Sequence, residues 1–240
     1  MASPIEQFAI KPIIPIHVGG VDISFTNSAL YMVIGVVVAT VFLTGAMSKR
    51  ALIPGRLQSM VEMIFEFVAN MLRDNAGAGS QKYFPFIFTL FMFVLVGNLL
   101  GLTPYSFTYT SHIAVTAGLA ILVFVGVTVI GFVKHGAGYL RMFFPHGAPV
   151  ILAPILVPIE LVSYLSRPFS LSVRLAANMT VGHIMLKVIA SFVISLGLLG
   201  FLPFAGIMGV TLLELGIACL QAYIFTVLSC IYLHDALHLH

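Results

Sequence analysis

Long apolar runs alternate with short polar stretches along this 240-residue chain, and the spacing of the apolar positions changes from one run to the next. Residues 28–47 form the first run, closed by Lys49, Arg50 and Arg56. About 20 apolar residues rising 1.5 Å each cross a hydrocarbon core of about 30 Å, so this run predicts a membrane-spanning helix with a basic exit. Residues 56–75 differ, because Met60, Ile64, Phe67, Val68 and Met71 recur at helical spacing against Glu62, Glu66 and Arg73. That pattern predicts an amphipathic helix lying in the interface. Ala76-Gly-Ala-Gly-Ser80 breaks it, and the runs 83–103 and 113–133 predict two more spans.

The last third is apolar yet carries charge. Residues 150–202 hold Glu160, Arg167, Arg174, His183 and Lys187, and residues 204–233 hold Glu214 and Gln221. A span ending near residue 165 has about 14 residues, too few to cross. Two long helices of about 60 Å and 45 Å are predicted instead, a hairpin so long that it must lie strongly tilted. Pro168 is expected to kink the first of them unless neighbouring groups accommodate it. The fold class is therefore an all-α integral membrane protein of about five to six helices, the last two forming the tilted hairpin, in one membrane domain over 1–240.

Composition agrees with that reading. A mean hydropathy of +1.11, with 60% hydrophobic and 8% charged residues, excludes an ordinary soluble domain. The N-terminal stretch lacks the basic region and cleavage site of a signal peptide. Cys219 and Cys230 stand eleven residues apart in one apolar run, about 16 Å along a helix, too far to bridge. The net charge of +3 comes from scattered bases whose meaning is topology rather than nucleic acid. Lys49, Arg50, Arg56, Arg73 and Lys82 gather on one side with Lys134 and Arg141, which puts the N-terminus outside against Lys11 alone and the C-terminus in the cytoplasm.

The candidate chemistry lies on the helical hairpin. At about 100° per residue, Asn178, Arg167 and Glu160 fall within about 40° of Arg174, while His183 points about 180° away. Glu214 and Gln221 share a face of the following helix. A guanidinium at membrane depth costs about 2.5–3.5 kcal/mol on insertion scales, so Arg174 asks for a function. Its structural alternative is an ion pair with Glu160 or Glu214. For Asn178 and Gln221 the alternative is interhelical hydrogen bonding, and for His183 a satisfied packing role. Lys187 reads as snorkelling outward. His17, His112, His135, His146, His234, His238 and His240 read as solvated. No phosphate loop, zinc spacing or nucleophile elbow is present, so neither a cofactor nor a metal is expected.

Arg174-Leu-Ala-Ala-Asn178-Met-Thr-Val-Gly-His183, the segment from Glu214 through Leu-Gln221-Ala-Tyr-Ile-Phe-Thr-Val-Leu, and Asn98-Leu-Leu-Gly101-Leu-Thr-Pro104 together make the chain resemble subunit a of the rotary F-type ATP synthases. The acid and the imidazole at positions 214 and 183 are exchanged relative to many bacterial members, as in mitochondrial ones. The resemblance implies a stator facing a ring of c subunits, held with peripheral-stalk b-type subunits and the remainder of the synthase in a lipid bilayer. It implies an outer proton path through Asn178, His183, Glu214 and Gln221, an inner path including Glu160, and Arg174 as the barrier between them. The membrane expected is the bacterial plasma membrane, with the mitochondrial inner membrane as the alternative. The chain would bind no nucleotide itself. The rival reading is a secondary transporter that uses Arg174 to hold an anionic substrate.

Overall fold

The computed structural model describes residues 10, 12–15, 17–18, 21–22, 24–48, 53–103, 107–136, 138–139, 153–196 and 200–238. Lys11, Lys49, Arg50, Arg141, His146, His240 and the hairpin connection at 197–199 lie outside them. Six α-helices dominate the described residues: α1 (Asn27–Ala46), α2 (Arg56–Ala76), α3 (Phe84–Gly101), α4 (Ile113–His135), α5 (Ala153–Ser195) and α6 (Phe201–Leu237). Five of them, all but α2, contain stretches long and apolar enough to cross a membrane.

The segment before α1 adds something that the helical periodicity does not announce. β1 (Pro12–Ile14) pairs antiparallel with β4 (Phe25–Thr26), and β2 (His17–Val18) with β3 (Val21–Asp22). Val18 pairs with Val21 and His17 with Asp22 in the second of these ladders. Strands of two or three residues show too little alternation to be read from sequence. Thr26 then caps α1 by accepting from the Ala29 N–H at 3.3 Å.

α2 packs on α3 and α6 through Val61, Val68, Met71 and Leu72. Of the apolar stripe read from sequence, Val68 and Met71 are buried and Ile64 is half-buried. Met60 and Phe67 remain 51% and 46% exposed, although the Phe67 ring lies 6.0 Å from that of Phe91 and 5.8 Å from that of Tyr223. The helix stops at Gly77, whose φ of +82° is costly for any residue with a Cβ.

Glycines in α3 and α4 mark where aromatic side chains wedge the bundle. The Tyr109 ring, in a 3-10 turn over Tyr109–Ser111, fills the space that a Cβ at Gly97 of α3 would occupy. It also touches Gly35 of α1 and donates its hydroxyl to the Phe93 carbonyl at 3.1 Å. Tyr139 lies against Gly131 of α4 in the same manner. The shared core runs from Val68 and Leu72 of α2 through Leu90, Phe91 and Val94 of α3 and Val123 of α4 to Leu171 and Leu175 of α5 and Phe225 and Leu233 of α6.

α5 runs for 43 residues and α6 for 37, about 64 Å and 55 Å, so a core of about 30 Å admits them only at strong tilt. Their ends fall at Ala153, Ser195, Phe201 and Leu237 where the sequence placed 150, 202, 204 and 233. Pro203 belongs to the first turn of α6 because the first four helical N–H groups have no intrahelical partner for it to remove. α5 continues through both Pro158 and Pro168. Side by side with Pro168, Tyr164 is bound through its hydroxyl to Thr128 at 2.6 Å and Tyr139 at 3.1 Å, which ties this turn to α4. Arg167 meets Asp235, Asn178 meets Gln221 and Gly182 meets Glu214, numbers rising on one helix as they fall on the other. The hairpin is therefore antiparallel.

Candidate functional site

The polar residues of the hairpin separate into two faces and two ends. On the inward face of α5, His183 is buried, and across from it Glu214 of α6 is 6% exposed. Both line a cavity of about 230 Å³ together with Asn178, Met179, Gly182 and Leu102. Asn178 donates from Nδ2 to Oε1 of Gln221 at 2.8 Å, which couples the buried Gln221 to the same place. The four residues that the family resemblance assigns to an outer path are thus brought together, although Asn178 and His183 lie on different sides of α5. Asn178 reaches Gln221 from an exposed position, and His183 turns inward.

Glu214 has two buried carboxylate oxygens and no hydrogen-bond partner among the described residues. A carboxylate in that position is costly when ionised. Gly182 permits the approach, because a Cβ there would overlap Oε1 of Glu214. His183 is held at Nε2, 2.9 Å from Oγ1 of Thr108. Thr108 was not singled out in the sequence. It comes from the segment between α3 and α4, 75 residues away, and no local pattern links it to His183. Asn98 of α3, quoted only for the family motif, is fully buried and donates to the Ala218 carbonyl at 3.2 Å, one turn beyond Glu214.

Arg174 is exposed on the outer face of α5, nine residues before His183 and about 13 Å from it along the axis. It does not line the cavity, and among the described residues it makes no ion pair with Glu160 or Glu214. The arginine that does pair is Arg167, whose Nη1 donates to Asp235 at 2.8 Å. Its guanidinium also covers the rings of Tyr164 and Tyr232 at 5.6 Å and 5.1 Å. Angular position alone had grouped Arg167 with Arg174. Glu160 is half-buried near the start of α5, about 35 Å along the axis from His183.

Two histidines read as solvated are partly buried and make contacts. The His112 ring stacks on Phe107 at 4.8 Å with Nε2 buried, and burial holds it below the usual histidine range. His135 reaches the Leu237 carbonyl at 3.2 Å, beside the 2.7 Å bond from Lys134 to the same oxygen. Burial raises the phenols of Tyr109 and Tyr139, so both act as neutral hydroxyls. Among the described residues no group of three or more His, Cys, Asp or Glu converges as a metal site.

Comparison with known proteins adds the identity of this arrangement. The family described as ATP synthase A chain matches residues 29–234, which cover α2 to α5, all but the outer ends of α1 and α6, and the residues that line the cavity. A protein named ATP synthase subunit a from Rhodospirillum rubrum is 65% identical over the whole of both chains. The protein of the same name from Paramagnetospirillum magneticum is 64% identical, again over both full lengths. That from Mesorhizobium japonicum is 59% identical over 98% of this chain and 96% of its own. A multi-pass helical chain, a buried acid and imidazole around one cavity, and matches of this extent lead to one conclusion: the chain belongs to the ATP synthase A chain family.

Proposed function

We propose that the chain is the proton-conducting stator of an ATP synthase membrane sector, working in a bacterial plasma membrane with its N-terminus outside. The observation that carries this reading is the convergence of Asn178, His183 and Glu214 on one cavity while Arg174 faces away from it on an exposed surface. A proton crossing 100 mV releases about 2.3 kcal/mol, which does work only if its entry and exit are not connected. His183 and Glu214 both change protonation state under modest perturbation, as an entry path requires. Gln221 orients Asn178 beside them. Glu160, at the opposite end of α5, belongs to the exit path. Arg174 stays protonated throughout and cannot relay a proton. Facing outward, it meets the carboxylates of a ring of c subunits, favours their ionised form as they pass and bars direct transfer between the two paths.

Partners on this reading are the c ring, b-type stalk subunits and the rest of the synthase, which supplies nucleotide chemistry. An anion transporter would place its arginine in the cavity, and Arg174 does not line it. The test is Arg174→Ala in the assembled complex, with ATP-driven acidification of vesicles and proton-driven ATP synthesis as readouts. Both are expected to be lost while the complex assembles. Retained coupled synthesis defeats the proposal, and anion exchange by the purified chain in liposomes establishes the transporter instead.

A further inference from the structure

One partner of His183 comes from neither helix of the hairpin. Thr108 is 3% exposed, and its Oγ1 lies 2.9 Å from Nε2 of His183 and 3.3 Å from the Gly101 carbonyl at the end of α3. Several features hold it there. A Cβ at Gly101 would overlap the Thr108 side chain, so the glycine admits it. Ser111 donates from Oγ to the Thr108 carbonyl at 2.6 Å. Thr180, three residues before His183, bonds to the Ser111 carbonyl at 3.3 Å and ties the segment to α5.

A hydroxyl carries one proton and two lone pairs and turns to suit its neighbours. Facing a bare imidazole nitrogen, Thr108 donates to Nε2. Facing Nε2–H, as in imidazolium, it accepts, and its own proton turns to the Gly101 carbonyl, which can only accept. One bond rotation therefore keeps the ring partnered in both charge states without moving a heavy atom. We propose that Thr108 is a positioning residue for proton transfer at His183, its hydroxyl holding the imidazole in place while the ring gains and loses a proton. This rests on the reading that puts His183 in the outer path.

The other charged or titratable groups near the ring are few. Lys187 lies one turn further along α5, and Glu214 faces the same cavity from α6. In the connecting segment, Tyr109 is committed to the Phe93 carbonyl and His112 is stacked on Phe107. α3 carries no titratable side chain, and Lys134 and His135 of α4 are at its far end against Leu237.

The test uses the whole complex in liposomes, with proton-driven ATP synthesis measured over a series of pH values on the proton-donating side. Thr108→Val removes the hydroxyl at nearly constant shape, and Thr108→Ser keeps it. The valine variant is expected to be slower by about fivefold, the worth of one ordinary hydrogen bond. A bond from imidazolium is stronger than one from neutral imidazole, so its loss weighs more on the protonated ring. The alkaline fall-off of the rate then moves to lower pH by about 0.7 unit, the same factor of five. The serine variant is expected to match the wild type in rate and profile. If the valine variant fails to assemble, Thr108→Ala carries the test, since it adds no volume. A wild-type profile without the hydroxyl overturns the proposal, as does equal impairment of the valine and serine variants. His183→Ala separates the layers: unchanged synthesis in it defeats the proton-path reading itself, whereas slow synthesis beside an unaffected Thr108→Val defeats only the role of Thr108.

Discussion

Replacing Gly182 by alanine places a methyl group where Glu214 now keeps its carboxylate. The added Cβ would lie 3.1 Å from Cδ and 3.3 Å from Cγ of Glu214 and would overlap Oε1. Non-bonded carbon atoms prefer about 3.5–4.0 Å, so the carboxylate has to retreat by roughly 0.5–1 Å. Overpacking of this kind costs about 1–3 kcal/mol, and misplacing a reacting group by about 1 Å can cost on the order of a hundredfold in rate. A fall of about tenfold to a hundredfold in proton-driven ATP synthesis follows. The assay is synthesis in reconstituted vesicles at matched protein content, with ATP hydrolysis by the assembled complex as the control for integrity. Combining Gly182→Ala with Glu214→Asp withdraws the carboxylate by one methylene and is expected to recover part of the rate. A fully assembled Gly182→Ala complex working at the wild-type rate would refute the argument that the glycine exists to admit the acid.

Glu214→Gln keeps the size of the side chain but abolishes its proton uptake, so synthesis and pumping are expected to slow by at least about tenfold; pumping unchanged over a broad pH range would make Glu214 structural. Burial disfavours the charged form of His112, so its folded-state value lies below the ordinary 6.5. The stability it contributes is full above about pH 6.5 and is lost as pH falls through the folded-state value, because the unfolded chain takes up the proton first. His112→Gln should flatten this acid limb in thermal unfolding of the purified complex, and an unaltered limb speaks against the assignment. Arg167→Asp and Asp235→Arg should each lower thermal stability by about 1 kcal/mol, a modest effect because the pair is 25% and 32% exposed. The doubly exchanged protein should recover, and additive losses in the double variant would mean that the two charges are not coupled.

Much of this protein was legible in its sequence. Apolar runs of about 20 residues specify spanning helices because a bilayer offers no other partner for backbone N–H and C=O groups, and the class of fold follows from that constraint. Helical angles placed Arg174 and His183 on opposite faces of α5, and the motif from Arg174 to His183 was specific enough to point to the family.

Depth and partnership were decided by the tertiary structure. Arg167 and Arg174 share an angular stripe, yet one is neutralised by Asp235 from the far end of α6 and the other is left exposed. On α2 packing buries Val61 and Leu72 beside the Val68 and Met71 of the apolar stripe, and leaves Met60 half exposed. Thr108 illustrates the limit most clearly, since its distance in sequence from His183 carries no periodic signal. Periodicity records which residues share a face of one helix, an intrachain property written every 3.6 residues. Which neighbour covers that face is set by packing among helices far apart in the chain, and only the folded molecule contains it.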